Sequence, residues 1–122
     1  MGFELKAVEA LDLWRGAIVE SVRREAPDLS ARQMALVLTV YLTPPPHTVR
    51  GLATTLNISK PAITRALDRL SDYGLVRRKV DEADRRSVLI QRTVKGSVFL
   101  REFGDIIVSA AAAGSDLEPS AG

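Results

Sequence analysis

Cysteine is absent from the 122 residues. That removes a disulfide framework, a thiolate zinc site and a cysteine redox switch, and it fits a reducing cytoplasm. Histidine occurs once, as His47. With one histidine and no cysteine, neither a Ser/His/Asp nor a Cys/His nucleophile set is convincing. No G-x-x-x-x-G-K stretch occurs, so there is no phosphate loop of that type. No apolar run approaches the roughly 20 residues that span a bilayer, and no membrane association is expected. The opening MGFELKAVEALDLW carries Glu4, Glu9 and Asp12, which is unlike a signal peptide. Enzymatic readings therefore fail for want of parts, and the sequence calls for no metal or cofactor.

What is present is ordinary in amount and uneven in placement. Hydrophobic residues make up 46% and charged residues 26%, values of a globular protein with one modest core. Net charge is only +2. From Val49 to Arg101, however, twelve basic residues stand against five acidic ones, a local net of +7. Residues 1–48 carry −1 and residues 102–122 carry −4. A near-neutral chain with a basic middle suggests a localised polyanion-binding surface, although charged faces are often only solvated.

Periodicity orders the chain. Phe3, Ala7, Leu11, Trp14, Ile18 and Val22 recur at spacings of four and three, so residues 3–25 read as a helix with one apolar stripe, ended by Pro27. Ser30-Ala31-Arg32-Gln33 is a capping box that opens a second helix. Its segment MALVLTVYL, 34–42, is apolar on nearly every face and should make it the most buried helix. Thr43-Pro44-Pro45-Pro46 stops it. A short helix over 49–56 and a tight turn at Asn57-Ile58 lead to a helix over 59–73. Ser59 is its N-cap and Pro61 lies in its first turn. Ile63, Ala66, Leu67 and Leu70 form its core face. Pro61, Ala62, Arg65, Asp68, Arg69 and Asp72 are expected on the other side, and Gly74 ends the helix.

Two helices joined by a short turn, the second with a small, polar and basic outer face, make a helix-turn-helix. Strands over 75–80 and 87–92 flank Asp81–Arg86 as a hairpin. A last helix over 94–113 carries a seam of Phe99, Phe103, Ile106, Ala110 and Ala113 before Gly114. Residues 115–122 read as a disordered polar tail. The expected fold is mainly α with a small β-hairpin: a single winged helix-turn-helix domain over 1–114. Arg85 and Arg86 then lie at the wing tip, suited to the negative potential of a narrow minor groove. Asp81 or Asp84 can pair with one arginine while the other reaches out.

TVRGLATTLNISKPAITRALDRLSDYGLVRR, then Asp81-x-x-Asp84-Arg85-Arg86, then Thr93-x-x-Gly96, resembles the MarR (multiple antibiotic resistance regulator) family of bacterial repressors. The resemblance covers His47 to Gly96. It implies a homodimer built by the terminal helices, 1–26 and 94–113, and a DNA-binding core over 47–93. The implied partner is pseudo-palindromic duplex DNA. Carried over by position, the major-groove readers are Ser59, Lys60, Pro61, Ala62, Thr64, Arg65 and Arg69, and the wing readers are Arg85 and Arg86. Lys79 is expected on phosphate. The resemblance also implies a small aromatic acid as ligand, though no residue identifies one. The chain departs from the family pattern in two ways. Arg92 stands where an apolar residue usually precedes the closing threonine, which would weaken strand packing or extend the basic surface. One terminal helix follows the wing where two are common.

Each candidate has a plainer reading. Arg65 can be a solvated charge or pair with Asp68, and Ser59 can be a helix cap alone. The wing arginines can form local ion pairs of little weight. Asp81, Glu82 and Asp84 form an acidic cluster, but the adjacent arginines argue against a metal. Trp14 suits packing at a dimer or domain face, His47 the surface beside the prolines, and Tyr41 and Tyr73 the edge of the core. Two functions follow. One is a dimeric, sequence-specific, cytoplasmic DNA-binding regulator, in the expected role of repressor. The alternative is a winged-helix protein-interaction module with an incidental basic face. Steep salt dependence marks the first.

Overall fold

The computed structural model describes residues 5–114. Phe3, the start of the first helix and the tail at 115–122 lie outside the described residues. The described chain runs α1 (Ala7–Arg23), α2 (Ala31–Leu42), α3 (Val49–Leu56), α4 (Lys60–Asp72), β1 (Val76–Val80), β2 (Val88–Arg92) and α5 (Val94–Gly114). This is the helix, helix, helix-turn-helix, hairpin, helix order that periodicity predicts. The chain divides into two compact units, Leu29–Leu100 and the two terminal segments that flank it.

In the central unit each helix begins where its cap chemistry directs. Ser30 Oγ accepts the Gln33 amide at 3.2 Å, and Gln33 Oε1 accepts the Ser30 amide at 2.9 Å, closing the capping box. Thr48 caps α3 by accepting the Gly51 amide at 3.0 Å. Asn57 leaves α3 in the left-handed region at φ 55°, and Ser59 starts α4 by accepting the Ala62 amide at 3.3 Å. Gly74, at φ 75°, turns the chain out of α4 into β1. The hairpin is antiparallel, with Val76 opposite Arg92 and Val80 opposite Val88.

The core of this unit lies between α2, α3, α4 and the hairpin. Leu36, Val37, Val40, Leu52, Ile63, Leu67, Leu70 and Leu75 are sealed inside. Periodicity makes α2 the most buried helix, but α4 buries five side chains against three for α2. Both helices pack against three elements, α4 against α2, α3 and β1 and α2 against α3, α4 and β2, but Met34, Leu38 and Tyr41 of α2 are only half-buried and Leu42 is exposed.

A polar clamp closes the end of the hairpin. The Tyr41 hydroxyl donates to the Leu75 carbonyl at 2.6 Å and accepts the Thr93 amide at 2.8 Å. Thr93 Oγ1 donates to the Gly74 carbonyl at 2.7 Å and accepts the Gly96 amide at 2.9 Å. Gly96 is required there, because a Cβ would overlap the Tyr41 hydroxyl and the Leu75 carbonyl. Arg92 overturns the first of its two expected outcomes. It does not loosen its strand end: its guanidinium donates to the Val40 carbonyl at 2.9 Å and the Thr43 carbonyl at 3.0 Å, satisfying orphan acceptors at the end of α2. His47, expected on the surface, is half-buried, and its carbonyl accepts the Ile90 amide at 2.9 Å.

The terminal unit contains α1 and α5 from Arg101 onward. Gly16 lets the helices approach closely, since a Cβ there would stand 3.3 Å from that of Ala110. Arg24 pairs with Glu102 at 3.5 Å. Ala17 is the buried residue of α1, and Phe103 is buried on α5. The predicted stripe of α1 faces away from this contact: Leu11 is 69%, Trp14 49%, Ile18 37% and Val22 58% exposed.

Candidate nucleic-acid interface

The buried face of α4 fixes what its other face presents. With Ile63, Ala66, Leu67 and Leu70 inside, Ser59, Lys60, Pro61, Thr64, Arg65 and Arg69 stand exposed. Ala62 does not join them. Expected on the outer face, it is 7% exposed and belongs to the core, so its side chain adds shape rather than a contact of its own.

Asp68, the local partner considered for Arg65, is taken from elsewhere. Its Oδ1 lies 2.7 Å from Arg78 Nη2 on β1. Arg65 consequently has no ion pair among the described residues. Arg69 lies over the Tyr73 ring, 5.8 Å from its centroid, and the packing holds its guanidinium near the helix end. Arg77 reaches across the hairpin to Gln91 Oε1 at 3.1 Å, and Lys79 is exposed beside it.

At the wing tip the acidic residues shape the loop. Asp81 Oδ1 accepts the Ala83 amide at 2.9 Å. Asp84 Oδ1 accepts the Arg86 amide and Asp84 Oδ2 the Ser87 hydroxyl, both at 3.2 Å. Both aspartates thus build Asx-type turns. The arginines are held loosely: Arg85 stands 3.8 Å from Glu82, and Arg86 Nε stands 3.6 Å from Asp84. The Arg86 side chain is 95% exposed. Sequence reasoning expected one arginine paired and one reaching; both have an acidic neighbour at salt-bridge range, and both remain solvated.

Between the wing and the helix-turn-helix lies a concave space of about 600 Å³. Arg50 lines it from α3, Thr48 from the cap of that helix, Lys60 from α4, and Asp84, Arg86 and Ser87 from the wing loop. This places the start of α4 and the wing arginine Arg86 on one cleft. Arg50 was not among the residues singled out by sequence, where nothing but its charge marked it.

Residues 29–88 match the MarR family model. The fold is similar to that of solved regulators. A point mutant of Staphylococcus aureus MepR bound to an oligodeoxyribonucleotide is 21% identical, with a TM-score of 0.75 over 92% of this chain and 80% of that one. A MarR transcriptional regulator from Methanosarcina mazei is 23% identical, with a TM-score of 0.63 over 93% and 78%. The transcriptional regulator BldR from Sulfolobus solfataricus is 27% identical, with a TM-score of 0.62 over 95% and 90%.

Proposed function

The chain belongs to the MarR family, matched over residues 29–88, and on that premise we propose that it is a dimeric regulator that binds specific double-stranded DNA as a repressor. The family is one of transcriptional regulators and not of enzymes. Helix α4 enters the major groove and the wing loop, 81–86, reaches the minor groove. Ser59, Lys60, Pro61, Thr64, Arg65 and Arg69 face DNA in this reading, with Arg85 and Arg86 at the second groove. Ala62 lets the backbone of the first turn come close.

The observation that carries the reading is Arg65. It projects from the exposed face of α4 while its neighbouring carboxylate is engaged by Arg78, so its guanidinium is available for the bidentate contact with guanine O6 and N7. The exposed stripe of α1 supports the dimer, because an apolar surface of that length rarely faces water in a monomer. Two copies related by a two-fold axis would place two reading helices on the half-sites of a pseudo-palindrome. A single functional domain over 1–114, with 1–26 and 94–113 building the dimer, completes the proposal. A cytoplasmic location and a small aromatic acid as ligand rest on the family resemblance. Selection of bound fragments from a random duplex pool tests the reading. Enrichment of an inverted repeat supports it, and an unenriched pool overturns it.

A further inference from the structure

The cleft between wing and helix-turn-helix is more than the gap between two reading elements. Its wall brings together Arg50, Lys60 and Arg86, with one carboxylate, Asp84, among them. That carboxylate is already committed. One oxygen accepts the Arg86 amide and the other the Ser87 hydroxyl. Arg50 and Lys60 have no ion pair among the described residues, and the Arg86 guanidinium stands a loose 3.6 Å from Asp84. The cleft therefore holds an excess of positive charge with spare donors. The Thr48 and Ser87 hydroxyls add polar lining. Three cations held apart by a scaffold with only one carboxylate among them favour a compact, multiply hydrogen-bonding anion.

Resting on the DNA-binding reading, we propose that this cleft is a phosphate seat: it takes one phosphodiester of the DNA backbone between the two grooves, with Arg50 as its principal ligand from α3. Base edges carry donors and acceptors in a plane. The mixed array here, with donors from α3, α4 and the wing loop, suits a tetrahedral oxyanion approached from several sides. Lys60 then serves the backbone and leaves base reading to residues further along α4. Arg86 does not only reach into the minor groove: its stem closes the seat, so that one phosphate fixes the wing relative to α4. A guanidinium at Arg50 gives two donors along one edge of the phosphate, which an ammonium cannot reproduce.

The test uses the full chain and a duplex obtained by selection. Methylphosphonate replaces each backbone phosphate in turn, removing one charge at a time. Wild-type protein should lose affinity steeply at one position per half-site. Arg50→Ala should bind about tenfold more weakly than wild type, with a salt slope shallower by about one unit per half-site. It should also be indifferent to the methylphosphonate at that position, while keeping the wild-type preference for selected over random duplex. Arg50→Lys should recover part of the affinity. Melting temperature of the variant checks that the exposed substitution leaves the fold intact. Inorganic pyrophosphate, compared with chloride at matched ionic strength, asks whether the seat also takes a free anion: competition lost in Arg50→Ala supports the seat. If wild type binds DNA and Arg50→Ala matches it in affinity, slope and methylphosphonate response, the seat is overturned and the DNA-binding reading stands. If wild type binds no duplex, both fall together.

Discussion

Arg78 Nη2 on β1 lies 2.7 Å from Asp68 Oδ1 on α4, and this pair ties the base of the wing to α4. It has two consequences. It engages the carboxylate that would otherwise be the local partner of Arg65. It also joins the two elements that meet DNA in the proposed reading. Both side chains are partly solvated, so the pair should stabilise the fold by no more than about 1 kcal/mol. Its effect on binding should be larger and asymmetric. Arg78→Ala leaves a bare carboxylate facing phosphates and should weaken DNA binding clearly, whereas Asp68→Asn removes that charge and should cost little. Competition binding and thermal melts of the two variants check this. Equal losses of affinity would contradict it.

The Tyr41 clamp predicts a stability effect remote from DNA. Gly96→Ala drives a methyl into the Tyr41 hydroxyl and the Leu75 carbonyl. Neither can retreat without breaking a hydrogen bond, so the substitution should cost about 1–3 kcal/mol. Tyr41→Phe leaves the Leu75 carbonyl and the Thr93 amide without their partner and should cost about 1–3 kcal/mol. Denaturant unfolding measures both. An unchanged midpoint for Gly96→Ala would show that the helix start has room to shift.

The exposed stripe of α1 predicts assembly. Wild-type protein should sediment as a dimer at micromolar concentration. Leu11→Glu combined with Trp14→Glu should yield a folded monomer, because both side chains are already exposed in the single chain. Helical content should be retained while specific DNA affinity falls. A monomeric wild type, or a variant that still dimerises, would remove the stripe from the interface.

Arg65 and Lys79 should separate base reading from backbone holding. Arg65→Ala should lower affinity for selected duplex far more than for random duplex, with a loss of about 1–3 kcal/mol in discrimination. Lys79→Ala should weaken both about equally. Equal losses for Arg65→Ala on the two duplexes would assign Arg65 to phosphate instead.

Local chemistry made the element order legible. The capping box at Ser30, the N-cap at Ser59 and Gly74 at the helix end all act within a few residues of themselves, and the helices start and stop there. Apolar spacing likewise identified Ile63, Ala66, Leu67 and Leu70 as core. What escaped depends on residues distant in sequence. Asp68 and Arg78 are ten positions apart, and along the helix Arg65 looks like the better partner. Arg92 reads as a charge on a strand until α2 is folded against it, when its donors meet two carbonyls. Ala62 is small enough for either face, and only packing around α4 decides it. Arg50 acquires a setting only when α3 and the wing loop form one cleft.

The central claim is that this chain distinguishes one duplex sequence from others through α4 and the wing. The most direct test is competition of a selected duplex against a random one, for wild type and for Arg85→Ala combined with Arg86→Ala, across a range of salt. Wild type should prefer the selected duplex and lose affinity steeply as salt rises. The double variant should keep its fold and dimer, bind more weakly and show a slope shallower by up to about two units. Wild-type binding that is indifferent to both sequence and salt would contradict the account and favour a protein-docking role for the winged helix.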